Sequence, residues 1–173
     1  VTTITGGILN ANASGSSETA WLIKAIHDVV PVSYDCDGTG VDKDYNVANA
    51  LKNYFGYTYA SQGAYNYETV KNNLRQHEPV LLGGGNDGGW WIFHSYEDGH
   101  MWVCDGFRSS KFCMFDDEGN LMGAVTYLYL HMNWGWSNGV ANGWFAFDNF
   151  NPTVYGTTYT FNYKTKMVYN IKP

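Results

Sequence analysis

The rhythm of apolar and polar positions changes once along this chain, near Pro79. Before that point the spacing is helical. Leu22, Ala25, Ile26, Val29 and Val30 form one stripe, which Ser16 or Ser17 can cap and Pro31 ends. Val47, Ala50, Leu51 and Tyr54 form a second stripe, predicting a helix that begins near Asp42 or Asp44 and stops at Gly56. Val70 and Leu74 point inward from a third helix over residues 67–77, with Pro79 just beyond its end. Between the first two helices, Ser33-Tyr34-Asp35-Cys36-Asp37-Gly38-Thr39-Gly40 reads as a loop. After Pro79 short strands take over, predicted at 79–82, 125–133, 143–147 and 166–171. A hairpin pair at 101–107 and 111–115 closes around Arg108-Ser109-Ser110. Asp116-Asp117-Glu118-Gly119-Asn120 is a strong turn signal. Helices first and an antiparallel set afterwards predict an α+β domain. The chain then divides into an exposed tail at 1–17, a mainly helical part at 18–78 and a mainly antiparallel sheet at 79–173.

Composition narrows the class of function. With 173 residues, 45% hydrophobic and only 15% charged, the chain can bury one substantial core. The formal net charge is −6, so the basic footprint of a nucleic-acid binder is absent. No apolar run approaches the roughly 20 residues that span a bilayer. The Thr-, Gly-, Asn- and Ser-rich start suits an exposed loop cut by proteolysis, or equally a chain trimmed at that point. Three cysteines cannot make a complete intrachain disulfide set, and positions 36, 104 and 113 fit no zinc spacing.

Two stretches concentrate chemistry: Gly99-His100-Met101-Trp102-Val103-Cys104-Asp105-Gly106 and Leu130-His131-Met132-Asn133-Trp134-Gly135-Trp136. The first sets a histidine at the mouth of a strand, after a glycine that lets another chain come close. The second sets an amide beside an indole on a neighbouring strand. An Asn carbonyl can fix a histidine's tautomer and ring angle while a Trp keeps water from that contact. This is the base and orienter half of a nucleophilic site. From residue types alone, a structural histidine near core tryptophans is the better fit.

The order of motifs resembles the streptopain-like cysteine peptidases, whose fold is papain-like. Residues 33–41 followed by a helix to Asn53-Tyr54-Phe55-Gly56-Tyr57 are similar to that family's glycine-rich loop and the helix after it. Glu78-Pro79-Val80 is similar to the strand that leads to its catalytic histidine. Gly99-His100 with Val103 and Asp105-Gly106, then Leu130–Trp136, Asn142-Gly143-Trp144-Phe145, Asn151-Pro152 and Asn170-Ile171-Lys172-Pro173 follow in familial order. The resemblance implies that His100 is the general base, that Asn133 orients it and that Trp134 shields their contact. It also implies substrate contacts at Gly99, Thr39 and Trp136, although the family carries Ser where Thr39 stands. The stretch 90–98 is longer than the family pattern. Its Trp90, Trp91, Phe93 and Tyr96 form an aromatic flap over the cleft or pack on the sheet. Further implications are protein or peptide substrates, no cofactor, secretion or cell-surface display by a bacterium, and an inhibitory pro-segment removed on activation.

The nucleophile is the main departure. In the family it lies in a segment before everything matched here. Cys36 stands between two aspartates that disfavour a thiolate. Cys104 is four residues from His100 on one strand, about 13 Å at ~3.3 Å per residue. Cys113 reads as a buried thiol. The expectation is a two-chain enzyme with the cysteine on a preceding segment or companion polypeptide. The alternatives are an inactive pseudopeptidase and a secreted carbohydrate-binding module using exposed Trp90, Trp91, Trp134, Trp136 and Trp144. A zinc hydrolase using His94, His100 and His131 lacks a ligand spacing.

Overall fold

A computed structural model describes residues 14–36, 38–89 and 94–173, apart from the side chains of residues 14–17, 34, 35, 38 and 39. Three helices and ten strands follow one another in the described residues: α1 (Ser14–Val29), β1 (Val32–Asp35), β2 (Gly38–Val41), α2 (Val47–Tyr54), β3 (Tyr59–Ala64), α3 (Tyr67–Arg75), β4 (Val80–Asp87), β5 (Tyr96–Phe115), β6 (Leu121–Asn133), β7 (Gly143–Ala146), β8 (Thr153–Val154), β9 (Thr157–Thr158) and β10 (Tyr163–Lys172). Six of the strands form one antiparallel sheet in the order β3-β10-β4-β5-β6-β7. The mixed, mostly antiparallel architecture agrees with the α+β reading.

The central part of the sheet is covered on both faces, because its strands carry apolar residues at alternating positions, while the outer half of the β5–β6 hairpin stays exposed. One face packs Val80, Leu82, Trp102, Cys104, Leu130 and Met132 against Val70 and Leu74 of α3, with Trp134, Phe150 and Phe161 closing the end. The other packs Val168 and Ala60 on Ala48 of α2, flanked by Leu51 and Leu81. Burying this much aliphatic and aromatic surface, at about 25 cal/mol per Å², drives the assembly. Both short helices are capped by Asn. The Asn46 side chain accepts from Asn49 N at 2.9 Å, and that of Asn66 accepts from Thr69 N at 2.9 Å. The second helix therefore starts after Asn46, later than Asp42 or Asp44.

Several expectations are corrected. Residues 33–40 are not a plain loop, because β1 and β2 pair across them, Val32 opposite Val41 and Asp35 opposite Gly38. Strand β3, between the second and third helices, carried no clear alternation and was not foreseen. Arg108-Ser109-Ser110 is not a turn. Strand β5 runs straight through it, paired with Tyr129, Leu128 and Tyr127 of β6. Arg108 is held there by rings on β6 and on β7 beyond it, 4.8 Å from the centroid of Tyr129 and 4.9 Å from that of Trp144. The hairpin instead reverses at Asp116, whose Oδ1 accepts from Glu118 N and Asn120 N at 3.0 and 2.7 Å. Finally, the stripe of α1 is not buried. Leu22 and Ile26 are each 41% exposed and Trp21 71%.

Candidate functional site

His100 lies on β5 directly opposite Gly84 of β4. The glycine is required there. A Cβ on Gly84 would meet the carbonyl oxygen of Phe161 at 2.1 Å, so only a bare backbone lets the Phe161 segment cross this point. That crossing brings the Phe161 ring to 5.2 Å from the imidazole, and Trp136 stacks on it at 5.0 Å with an interplanar angle of 25°. Trp102 and Trp134 lie behind, at 6.4 and 6.3 Å. The imidazole is thus half-buried in an aromatic cage, and this burial pulls its pKa below the ordinary 6.5, opposed by its hydrogen bond to Trp134.

That hydrogen bond joins His100 Nε2 to the backbone carbonyl oxygen of Trp134 at 2.8 Å. A carbonyl only accepts, so Nε2 carries the proton and the neutral ring keeps its lone pair on Nδ1. The contact expected from the Asn133 amide is therefore made by the main chain of the next residue. Asn133 instead builds the turn that presents the carbonyl. Its Oδ1 accepts from Gly135 N at 3.1 Å and from Asn142 Nδ2 at 3.2 Å, while Asn142 Oδ1 accepts from Trp134 N at 2.9 Å. Gly135 sits at φ 74°, a conformation glycine adopts without strain. The Trp134 peptide is held at both ends, by Asn142 on its N–H and His100 on its C=O.

Trp134 itself is fully buried, and Trp136 is half-buried against His100, so neither is the freely exposed platform that a sugar-binding reading required. Trp144 is 44% exposed. Trp90, Trp91 and Phe93 lie outside the described residues. Gly99, His100 and Tyr96 line a cavity of about 550 Å³ together with Gly40 and Val41 of β2. Thr39 belongs to that same strand, with its backbone paired to Tyr34. A second cavity of about 500 Å³ is almost wholly apolar. It runs between Ile26 and Val30 of α1, Leu51 and Phe55, and the Met101–Val103 stretch of β5, and it ends at Asn133 and Gly135.

The competing histidines are engaged elsewhere. His94 pairs through Nδ1 with Asp87 and stacks on Tyr163, and His131 Nδ1 bonds Asp105 Oδ1 at 2.6 Å. Among the described residues no group of three His, Cys, Asp or Glu side chains could hold a metal ion. Of the cysteines, Cys104 is buried and its thiol is pushed up to about 12 by that burial, which removes it as a thiolate. Cys36 is exposed and Cys113 half-buried. Asn142 and Phe161 were missed as site residues. Asn142 stood in a familial run but nothing in its spacing tied it to Trp134, and Phe161 lies 61 positions from His100 with no motif around it.

No helix among the described residues is long and apolar enough to cross a membrane. The sequence matches the model of the Peptidase C10 family over residues 6–145. It is also 29% identical over 157 residues to streptopain of Streptococcus pyogenes serotype M1, a match covering 79% of this chain and 33% of that protein. The chain therefore spans about a third of the length of the curated relative it matches. On the family match, over most of its length and through the His100 and Asn133 motifs, the chain belongs to the Peptidase C10 family.

Proposed function

We propose that this chain is the base-bearing part of a papain-like cysteine endopeptidase that hydrolyses peptide bonds of proteins. The observation that carries the reading is the hydrogen bond from His100 Nε2 to the Trp134 carbonyl. It fixes the tautomer and leaves Nδ1 as the free base of a half-buried imidazole. The nucleophilic cysteine comes from a segment outside these 173 residues, on a preceding stretch or a companion chain. The apolar groove beside α1 supports this, because a helix seated in it would cover Ile26, which is 41% exposed, and reach Asn133. In the reaction, Nδ1 takes the thiol proton as sulfur attacks the peptide carbonyl. The imidazolium returns it to the leaving amine, and water then hydrolyses the thioester with His100 again as base. Asn133 and Asn142 position Trp134, and Gly99 and strand β2 with Thr39 supply backbone to the substrate. Trp136 walls the imidazole from solvent. Secretion from a bacterium and a removable inhibitory pro-segment belong to the same reading.

The test is denaturing mass spectrometry of the full-length protein after an epoxide inhibitor of papain-like enzymes, with His100→Ala alongside. The expected result is one adduct on a polypeptide other than residues 1–173, and no adduct or turnover in His100→Ala. An adduct on Cys36, Cys104 or Cys113 would place the nucleophile in this chain. No adduct with no turnover would remove the peptidase reading.

A further inference from the structure

The motifs that resemble the family stop at Gly106 and resume at Leu130. Between them β5 and β6 run on as a two-stranded ribbon beyond the rest of the sheet. β4 pairs with β5 only up to Cys104, and β7 with β6 only from Tyr129 to Met132. Among the described residues both outer edges of the ribbon thus lack a neighbouring strand. On β6 the last outward group taken up is the carbonyl of Leu128, which accepts from Phe147 N at 3.2 Å. Backbone groups point to alternate sides of a strand, so the outward N–H and C=O of Thr126 and Ala124 come next. These meet no protein partner among the described residues.

The two edges differ in how they would meet another strand. That of β5 carries Arg108 and Lys111, charges of the kind that keep edges apart. That of β6 reads Leu121-Met122-Gly123-Ala124-Val125-Thr126-Tyr127, with neither charge nor proline. Leu121, Met122 and Tyr127 are 59, 73 and 52% exposed. The segment is also complementary to itself. With a two-fold axis normal to the ribbon at Val125, Thr126 faces Ala124 of the second copy and exchanges the outward backbone bonds with it. Tyr127 then faces Gly123, whose bare backbone leaves room for the ring. Covering this edge buries on the order of 1,000 Å² in all, the lower end of specific interfaces, which suits a dimer of about micromolar affinity.

We propose that the edge of β6 at residues 121–127 pairs antiparallel with the same edge of a second copy of this chain, about a two-fold axis at Val125, joining the copies in one four-stranded ribbon. Val125 stands eight residues before Asn133, about 26 Å along the strand at ~3.3 Å per residue. The interface is remote from His100, and the inference does not rest on the peptidase reading.

The experiment is sedimentation velocity on the full-length protein. Wild type is expected to pass from monomer to dimer between about 1 and 100 µM. Val125→Lys sets two ammonium groups against each other on the axis and should weaken the dimer about tenfold or more, while Ser109→Lys on the β5 edge should change it less than about twofold. Circular dichroism melts establish that each variant is folded. Val125→Cys, combined with Cys36→Ser and Cys113→Ser, reads the register. Opposed residues that share no hydrogen bond have Cα atoms about 4.5 Å apart, within disulfide reach, so mild oxidation should link the copies there, with peptide mapping to locate the bond. Thr126→Cys in the same background would lie about 8 Å from its counterpart and should not link. Wild type that stays monomeric up to about 100 µM, a dimer indifferent to Val125→Lys, or linkage at Thr126→Cys in place of Val125→Cys would each overturn the proposal.

Discussion

Asn142→Ala tests whether catalysis depends on how the Trp134 peptide is held. The substitution deletes the acceptor of the 2.9 Å bond from Trp134 N and the donor of the 3.2 Å bond to Asn133 Oδ1. The second bond lies in an exposed turn and contributes about 0.5–1 kcal/mol. The first leaves the N–H of a fully buried residue unpaired, which costs about 1–3 kcal/mol. The sum is roughly 1.5–4 kcal/mol, or about 3–16 °C in Tm for a chain of this size. Trp134 would then be tethered only through its carbonyl to His100, and the imidazole would lose its fixed tilt. A misplaced base lowers kcat without touching the substrate, so kcat should fall about tenfold or more with KM nearly unchanged. Asn142→Asp keeps an acceptor for Trp134 N and should recover most of kcat. The assay is steady-state hydrolysis of one peptide by the full-length protein, run well below the lowered Tm. A variant that melts earlier yet turns over like wild type would refute the positioning role and leave Asn142 a purely structural cap.

Three further outcomes follow from the same geometry. Gly84→Ala drives a methyl group into the Phe161 carbonyl at 2.1 Å, and since backbone must move, it should cost about 1–3 kcal/mol and lower kcat by displacing the ring beside His100; unchanged melting would show that the crossing is looser than drawn. Burial lowers the His100 pKa in the folded chain, so folding binds fewer protons than the unfolded chain just below 6.5. The stability of the 173-residue chain should then be full above about 6.5 and decline as pH falls through the depressed folded value; His100→Asn should flatten that part of a urea-midpoint profile, and an identical slope in the variant would discount the histidine. Cys36→Ser, Cys104→Ser and Cys113→Ser should each retain activity in the full-length protein; complete loss in one that still folds would relocate the nucleophile.

Much of this molecule was legible in its sequence because the information was local. Period-3.6 stripes, with Gly56 after α2 and Pro79 after α3, marked these two helices, since a helix is stabilised within a few residues of each position. Asp116–Asn120 announced its turn through an aspartate that bonds its own backbone. The Gly99-His100 and Asn133-Trp134 motifs carried the proposed site because a base and its orienter need particular atoms, whatever surrounds them. Other features had no local signature. Arg108 reads as a turn residue by composition, and only pairing with β6 and the rings of Tyr129 on β6 and Trp144 on β7 make it a strand residue. Residues 33–40 carry loop chemistry, yet β1 and β2 pair because each supplies the other's backbone partners. That the Trp134 carbonyl and not the Asn133 amide meets His100 depends on the turn at Gly135 and on Asn142, nine residues further along. Whether Gly84 is a spacer or a necessity was decided by Phe161, which reaches it only when β10 closes the sheet. Sequence determined which groups could act; long-range packing alone set their distances, and the acid–base chemistry proposed for His100 depends on those distances.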